Sequence, residues 1–406
     1  MESKALAGVR VLDLTQFLSG PVCTSELGMF GAEVIKVERP HVGEQGRNDN
    51  GPYKQGDVNL KWAIQHCNKK SITLNLKTEK GKQILTDLIK ISDVIVENYA
   101  PGTIEKLGFP WEKIHEINPR IIFAQIKGYN DKSPFAKYPA MDGPIQATGG
   151  VAAQTGLKNG QPIISNVALA DAPSGMFTYA GIVTALYHRS QTGLGQHVRV
   201  NMQEVIMDYA RSTFAIQNRV VKRGAAMTLA GEQAPRGMFE CKPAYEGDTD
   251  NWVFLMVRDA PGQWQWKAFT EAIGRPELFE DPRFANGVIR LKNEAIVNQI
   301  VNEWTSQHDK KEVMDILCQA KLPTGAVMGI MDFMKADDLY ETRFLQKMVQ
   351  PGLGEVTIPS TAIRLSASPV QVEPAPDLGN DNDRVYKQLL GYTQEQMDAL
   401  RFEDVI

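Results

Sequence analysis

Across the first 130 residues, short apolar runs alternate with longer stretches in which apolar positions recur every three or four residues. Gly8 to Leu14 (GVRVLDL) and Ala32 to Glu38 (AEVIKVE) read as strands, with Val22 to Phe30 between them as a short helix, which makes a βαβ unit. Ser71 to Lys77 (SITLNLK) alternates as a third strand. The following TEKGKQILTDLIKIS places Ile84, Leu85, Leu88, Ile89 and Ile91 on one helical face, and DVIVENY and RIIFAQIKGY are two further strands. Short helices at Thr103 to Leu107 and Trp111 to Asn118 separate those two. Strands alternating with helices predict an α/β fold, a parallel sheet covered on both faces.

A long polar and aromatic loop, Lys127 to Asp142, follows the last of these strands, where ligands of open α/β sheets bind. Next come an Ala-rich helix around Gly149 and Gly150 and then the stretch Asn159 to Met202, centred on Asp171. Beyond Asp171, the residues Met176, Tyr179, Ile182, Val183, Leu186 and Tyr187 form one wide apolar stripe, so the aspartate opens a helix. Aspartate is a favoured helix N-cap and proline is common in a first turn, and capping alone accounts for this pattern. The alternative is chemical: a helix N-terminus keeps a carboxylate ionised and aims it, which suits a nucleophile. Small residues crowd Asp171 on both sides, as if a large ligand comes close, and this favours the second reading.

Beyond a strand in TGLGQHVRVNM, a long helix is expected from about Gln203 to Arg223, and then an Ala- and Gly-rich loop to Gly237. A hairpin around EGDTDN and helices at Trp264 to Ile273, Asn293 to Ser306 and Lys310 to Ala320 differ in character from the first half. The expected organisation is a large domain from residues 1–205 and 330–406, a linker over 206–235 and a smaller α+β domain over 236–329.

A dinucleotide site is tempting because Glu38 ends the second strand, yet the first turn is TQFLSG and lacks G-x-G-x-x-G. Arg39 beside it suits phosphate or adenine recognition instead. The 406 residues carry a net charge of -4, which gives no basic field for nucleic acid or membrane, so any phosphate must be held by a few placed cations. Four scattered cysteines without a C-x-x-C pair and six isolated histidines suggest neither a disulfide framework nor a metal site. With no apolar run of signal-peptide or membrane-spanning length, a cytoplasmic protein is expected.

Several long motifs in order, GVRVLDLTQFLSGPVCTSELGMFGAEVIKVERP, NKKSITLNLKTEKGKQIL, VIVENYAPGTIEKLGF, INPRIIFAQIKGY and the region around LADAPSGM, resemble the class III CoA-transferases, the CaiB/BaiF family. The resemblance spans nearly the whole chain. It implies a Rossmann-like large domain built from both chain ends, a small domain between, and an interlinked homodimer. It further implies coenzyme A and acyl-CoA as substrates, with no tightly bound cofactor. Asp171 matches the family's nucleophilic aspartate. The CoA contacts carry over onto Leu18, Ser19, Arg39, Leu74, Asn75, Lys77, Asn98, Tyr99, Lys106 and Lys137, with Pro139 in the aligned register beside the last. Each of these cations could equally be a solvated surface charge.

Three departures stand out. Where an oxalate-using member has a glutamine this chain has Leu18, where it has a tyrosine this chain has Met141, and its glycine run is reduced to Ala230 to Gln233 (AGEQ). The first two make the pocket less polar and imply a more apolar or larger acceptor acid. Racemases of the family place a histidine before the aspartate matching Asp142, where this chain has Met141, so α-proton exchange lacks its second base. Simple binding of CoA esters, with Asp171 only a cap, is the remaining alternative. Tyr129, Tyr138 and Trp264 are expected to be packing or loop residues.

Overall fold

The structure, a computed structural model, describes residues 4–48, 54–55, 58–156, 160–214, 234–258 and 261–406. The chain divides into two units, Met1–Gly224 with Leu339–Ile406 and Ala225–Asp338. In the first, six strands pair in parallel: β1 (Arg10–Asp13), β2 (Glu33–Glu38), β3 (Lys69–Thr73), β4 (Val94–Glu97), β5 (Ile122–Lys127) and β6 (His197–Asn201). Their order is β3-β2-β1-β4-β5-β6, so the direction of winding reverses between β1 and β4. Crevices outside the carboxyl ends of strands at such a reversal are the usual ligand sites of doubly wound sheets.

Alternation along the strands decides which side chain enters which layer. Val11, Val34, Val94, Val96, Ile122 and Ala124 face one way, onto Cys23 and Leu27 of α1 (Ser19–Met29). The neighbouring Leu12, Ile35, Ile72, Ile95 and Phe123 face the other, onto α2 (Glu79–Lys90). Helix α2 shows the local logic. Thr78 caps it by accepting from the Gly81 N–H at 3.0 Å, and Ile84, Leu85, Leu88 and Ile89 are fully buried against the sheet. Each such side chain stabilises the unit by roughly 1.5–3 kcal/mol relative to exposure.

Three boundaries differ from the sequence reading. Helix α1 begins at Ser19, and β3 runs from Lys69 only to Thr73. Leu74 still donates to the Glu38 carbonyl, and Asn75 to Lys77 turn away, with the Asn75 N–H donating to the Val405 carbonyl and Asn75 Oδ1 accepting from the Lys77 N–H. The segment after β6 is helical over Met202–Tyr209 and Arg211–Phe214, and the rest of the expected helix, like AGEQ, lies outside the described residues. Helix α3 (Asp142–Thr148) precedes the long α4 (Asp171–Thr192), which packs with α1 on the same face of the sheet.

The C-terminal segment joins the first unit's core through Val385, Tyr386, Met397 and Leu400. The second unit holds a three-stranded antiparallel sheet, β7 (Arg236–Glu240), β8 (Trp252–Met256) and β9 (Thr324–Ala326) in the order β9-β8-β7. Its own apolar core centres on Trp266, Phe269, Phe284, Val297 and Leu317.

Candidate active site

A cleft of about 580 Å³ opens at the carboxyl ends of β1 to β5, in the first unit. Its floor is the turn after β1. In a dinucleotide-binding loop the N–H groups of such a turn face phosphate. Here they are used internally: Thr15 donates to Asp13 Oδ1 at 2.8 Å, Gln16 to Asn98 Oδ1 at 2.8 Å and Phe17 to Glu44 Oε1 at 3.3 Å. Lys36 donates to the Thr15 carbonyl. Held this way, Phe17 adopts a φ of +61°, and the turn replaces glycines with side-chain struts.

Asp171 lines the same cleft. It is the first residue of α4 and does not cap it. The residue before, Ala170, occupies the N-cap position and supplies no side-chain bond. The cap comes from Asp142, whose Oδ1 accepts from the Ala170 N–H at 2.7 Å and the Asp171 N–H at 3.0 Å. Gln146 Nε2 donates to Asp142 Oδ2 at 2.5 Å, and Gln146 also binds the Ser165 and Val167 carbonyls and the Ser165 N–H, which fixes the segment leading into α4. The capping explanation of Asp171 is therefore displaced, because the orphan donors are already served and its own carboxylate stays available.

A helix N-terminus favours the ionised form of this carboxyl, and its surroundings work against that. Burial and the neighbouring Asp142 charge raise its pKa from 3.8 to about 6, opposed by a hydrogen bond from Ser19 and by the charge of Lys61. It remains largely ionised at neutral pH and is more basic than a solvated aspartate.

Of the CoA contacts read from the family pattern, Ser19, Arg39, Leu74, Asn75, Lys77, Asn98 and Tyr99 line the cleft. Leu18, Lys106 and Lys137 are not on its wall. Leu18 is the half-buried N-cap residue of α1, and Lys106 and Lys137 are exposed. Pro139, next to Lys137 in the aligned register, does line it. Arg39 and Lys77 are exposed at the wall, and among the described residues no ion pair occupies either. Asn75 and Asn98 are committed to backbone partners, Asn75 Nδ2 to the Asp404 carbonyl at 3.1 Å and Asn98 Nδ2 to the Gln16 carbonyl at 2.8 Å.

Tyr129 packs among Ile126, Ile145 and Met202 and Tyr138 lies in the loop, as expected, and both also stand on the cleft wall, linked through Phe135 by ring contacts of 5.6 Å each. Lys127 was missed. It lines the cleft and is held by Glu97 Oε1 at 2.7 Å and the Tyr99 carbonyl at 2.8 Å, and burial raises the Glu97 pKa even so. Asp142 and Gln146 were missed as a pair. The signal was available, since an aspartate before Gly143 and Pro144 opens a short helix whose fourth residue on is a glutamine.

The chain matches the CoA-transferase family III model over residues 6–382, and it belongs to that family. It is a family III CoA-transferase. It is 36% identical over 420 residues to a formyl-CoA:oxalate CoA-transferase of Streptomyces coelicolor, covering 100% of both chains. To one of a Bradyrhizobium species it is 36% identical over 413 residues, covering 97% of this chain and 96% of the other. Among solved structures, a CaiB/BaiF family protein from Brucella suis superposes with a TM-score of 0.82 at 25% identity, over 95% of this chain and 100% of that one.

Proposed function

We propose that this transferase carries CoA from an acyl-CoA donor to a carboxylic acid through covalent intermediates on Asp171. The carrying observation is a partly buried carboxylate at the cleft wall that is spared from capping and made more basic by its surroundings. Asp171 attacks the donor thioester carbon; a C–O bond forms, the C–S bond breaks and CoA leaves as the thiolate. The thiolate attacks Asp171 Cγ, giving an aspartyl-CoA thioester as the donor acid departs. The acceptor carboxylate then reverses both steps. No proton changes hands, so no histidine base is required.

Arg39 and Lys77 have the charge and the position to meet CoA phosphates, and Ser19, Leu74, Asn75, Asn98 and Tyr99 line the channel between. Beside Asp171 the wall is mainly apolar, with Ile126, Tyr129, Ala140, Met141 and Met202, which supports an acceptor less polar than oxalate. Met141 also argues against racemase chemistry, which needs a second base there. The interlinked homodimer implied by the family belongs to the same reading and is tested by the solution mass of the protein.

Hydroxylamine trapping during turnover tests the covalent step. The expected result is a hydroxamate at Asp171 by peptide mass spectrometry, with exchange of labelled acid into acyl-CoA abolished in Asp171→Ala. Full exchange in that variant would overturn the mechanism. A panel of carboxylates read for new thioesters then identifies the acceptor.

A further inference from the structure

An acylated Asp171 is itself attacked at Cγ, and the electron pair of its carbonyl bond moves onto the remaining carboxyl oxygen. That oxyanion needs a donor of its own, in addition to whatever serves the substrate's acyl carbon. Ser19 stands there. Gly175, one turn into α4, makes the approach possible, since a Cβ at this position would lie 2.4 Å from the Ser19 carbonyl oxygen. The first turn of α4 thus rests on the first turn of α1, Ser19 and Asp171 line the same cleft, and the Ser19 hydroxyl lies close enough to the Asp171 carboxyl to lower its pKa.

The other side of that hydroxyl is already occupied. Asn98 Nδ2 donates to Ser19 Oγ at 3.1 Å. The Asn98 amide cannot rotate away, because its Oδ1 accepts from the Gln16 N–H and its Nδ2 donates to the Gln16 carbonyl, both at 2.8 Å. An amide nitrogen offers only hydrogens, so Ser19 Oγ is the acceptor in that contact and its single proton is left for Asp171. Ser19 is buried at 4% exposure, where such a bond is stronger than in water.

We infer that Ser19 is the hydrogen-bond donor to the oxyanion formed on the Asp171 carboxyl group itself, with Asn98 the positioning residue that aims its proton. This rests on Asp171 being the acyl-carrying nucleophile. In thioester formation the C–S bond forms as the carbonyl pair moves onto oxygen, where Ser19 shares its proton without transferring it. The pair then re-forms the carbonyl as the C–O bond to the donor acid breaks. The family pattern assigned both residues to CoA contact; here the Asn98 amide is spent on Gln16 and Ser19, which leaves the Ser19 proton for Asp171.

In Ser19→Ala, kcat is expected to fall about 10²-fold while the acyl-CoA KM stays within about twofold. Ser19→Thr, which keeps the hydroxyl, is expected to recover most of the loss. Titration of Asp171 by carbon-13 NMR is expected to move to higher pH in Ser19→Ala, because a donor to the charged form is gone. Asn98→Ala is expected to lower kcat less, and the double variant no further than Ser19→Ala alone. An unchanged kcat in Ser19→Ala, or a raised KM with kcat retained, overturns the inference and returns Ser19 to the role of a CoA contact. Trapping of the Asp171 adduct in the wild-type enzyme separates the two assignments. Its absence would overturn the nucleophile itself, whereas its presence with an unaltered Ser19→Ala rate removes only the role of Ser19.

Discussion

Two carboxylates in the same unit, Asp13 and Asp171, have been driven in opposite directions. Asp13 ends β1 with no exposure, and burial alone would raise its pKa. Instead Lys36 and Lys69, with hydroxyl bonds from Thr15 at 2.6 Å and Thr24 at 2.7 Å, hold it well below the carboxylate range. Asp171 is half-buried with a second carboxylate beside it and only a serine hydroxyl and the charge of Lys61 in opposition, so its pKa is raised to about 6. Burial is common to both. What separates a strut from a reagent is whether cations or carboxylates share the burial.

Removing the two side chains should therefore break different properties. The largest effect expected is in Asp171→Ala, with CoA exchange reduced by at least about 10⁴-fold and the thermal midpoint unchanged or raised, since no helix cap is lost. An assay of labelled-acid exchange beside a melting curve checks both halves. Asp13→Ala inverts the pattern. It leaves Lys69 buried without its carboxylate and Lys36 with Glu44 alone, and is expected to destabilise by about 3–5 kcal/mol in denaturant unfolding. A comparable loss in Asp171→Ala would erase the distinction.

The pH dependence sharpens it further. Asp171 has its pKa raised from 3.8 to about 6 on folding, so the stability attached to it is present below pH 4 and lost as pH rises through 6. Asp171→Asn should accordingly be more stable than the wild type by about 1–3 kcal/mol at pH 8 and converge with it near pH 4. Asp13 has the opposite sign, its contribution being present above pH 4 and lost only in strong acid. Wild-type kcat/KM is expected to fall below about pH 6 as Asp171 protonates. The smallest effect is expected in Asp142→Asn, which keeps an acceptor for the Ala170 and Asp171 N–H groups, removes a charge and exchanges the acceptor facing Gln146 Nε2 for an amide nitrogen. Its acid limb should move to lower pH with little change in plateau rate, and movement to higher pH would contradict the like-charge account.

Much of this fold is legible along the chain, because apolar periodicity reports which face of each element is buried. The six parallel strands of the first unit, and the placing of Asp171 at the start of a helix, follow from such local patterns. The early end of β3 was not legible. Its edge is covered by residues some 310 positions away: Asp381 accepts from the Ser71 N–H, Asn382 from the Thr73 N–H, and Tyr386 donates to the Thr73 carbonyl at 2.6 Å. Side chains of the tail thus take the place of a further strand on that edge.

The site divides along the same line. Residue type and spacing determined that a carboxylate opens α4, that the turn after β1 lacks a phosphate-binding glycine pattern, and that the charge of Arg39 sits at a strand end. Only the tertiary structure decided that Asp142 serves as the cap, that Asn98 points the Ser19 proton, and that Lys106 and Lys137 lie off the cleft wall. The physical reason is range. Periodicity and capping preference act over one or two helical turns, whereas hydrogen-bond direction and pKa depend on groups brought within 3 Å from distant parts of the chain.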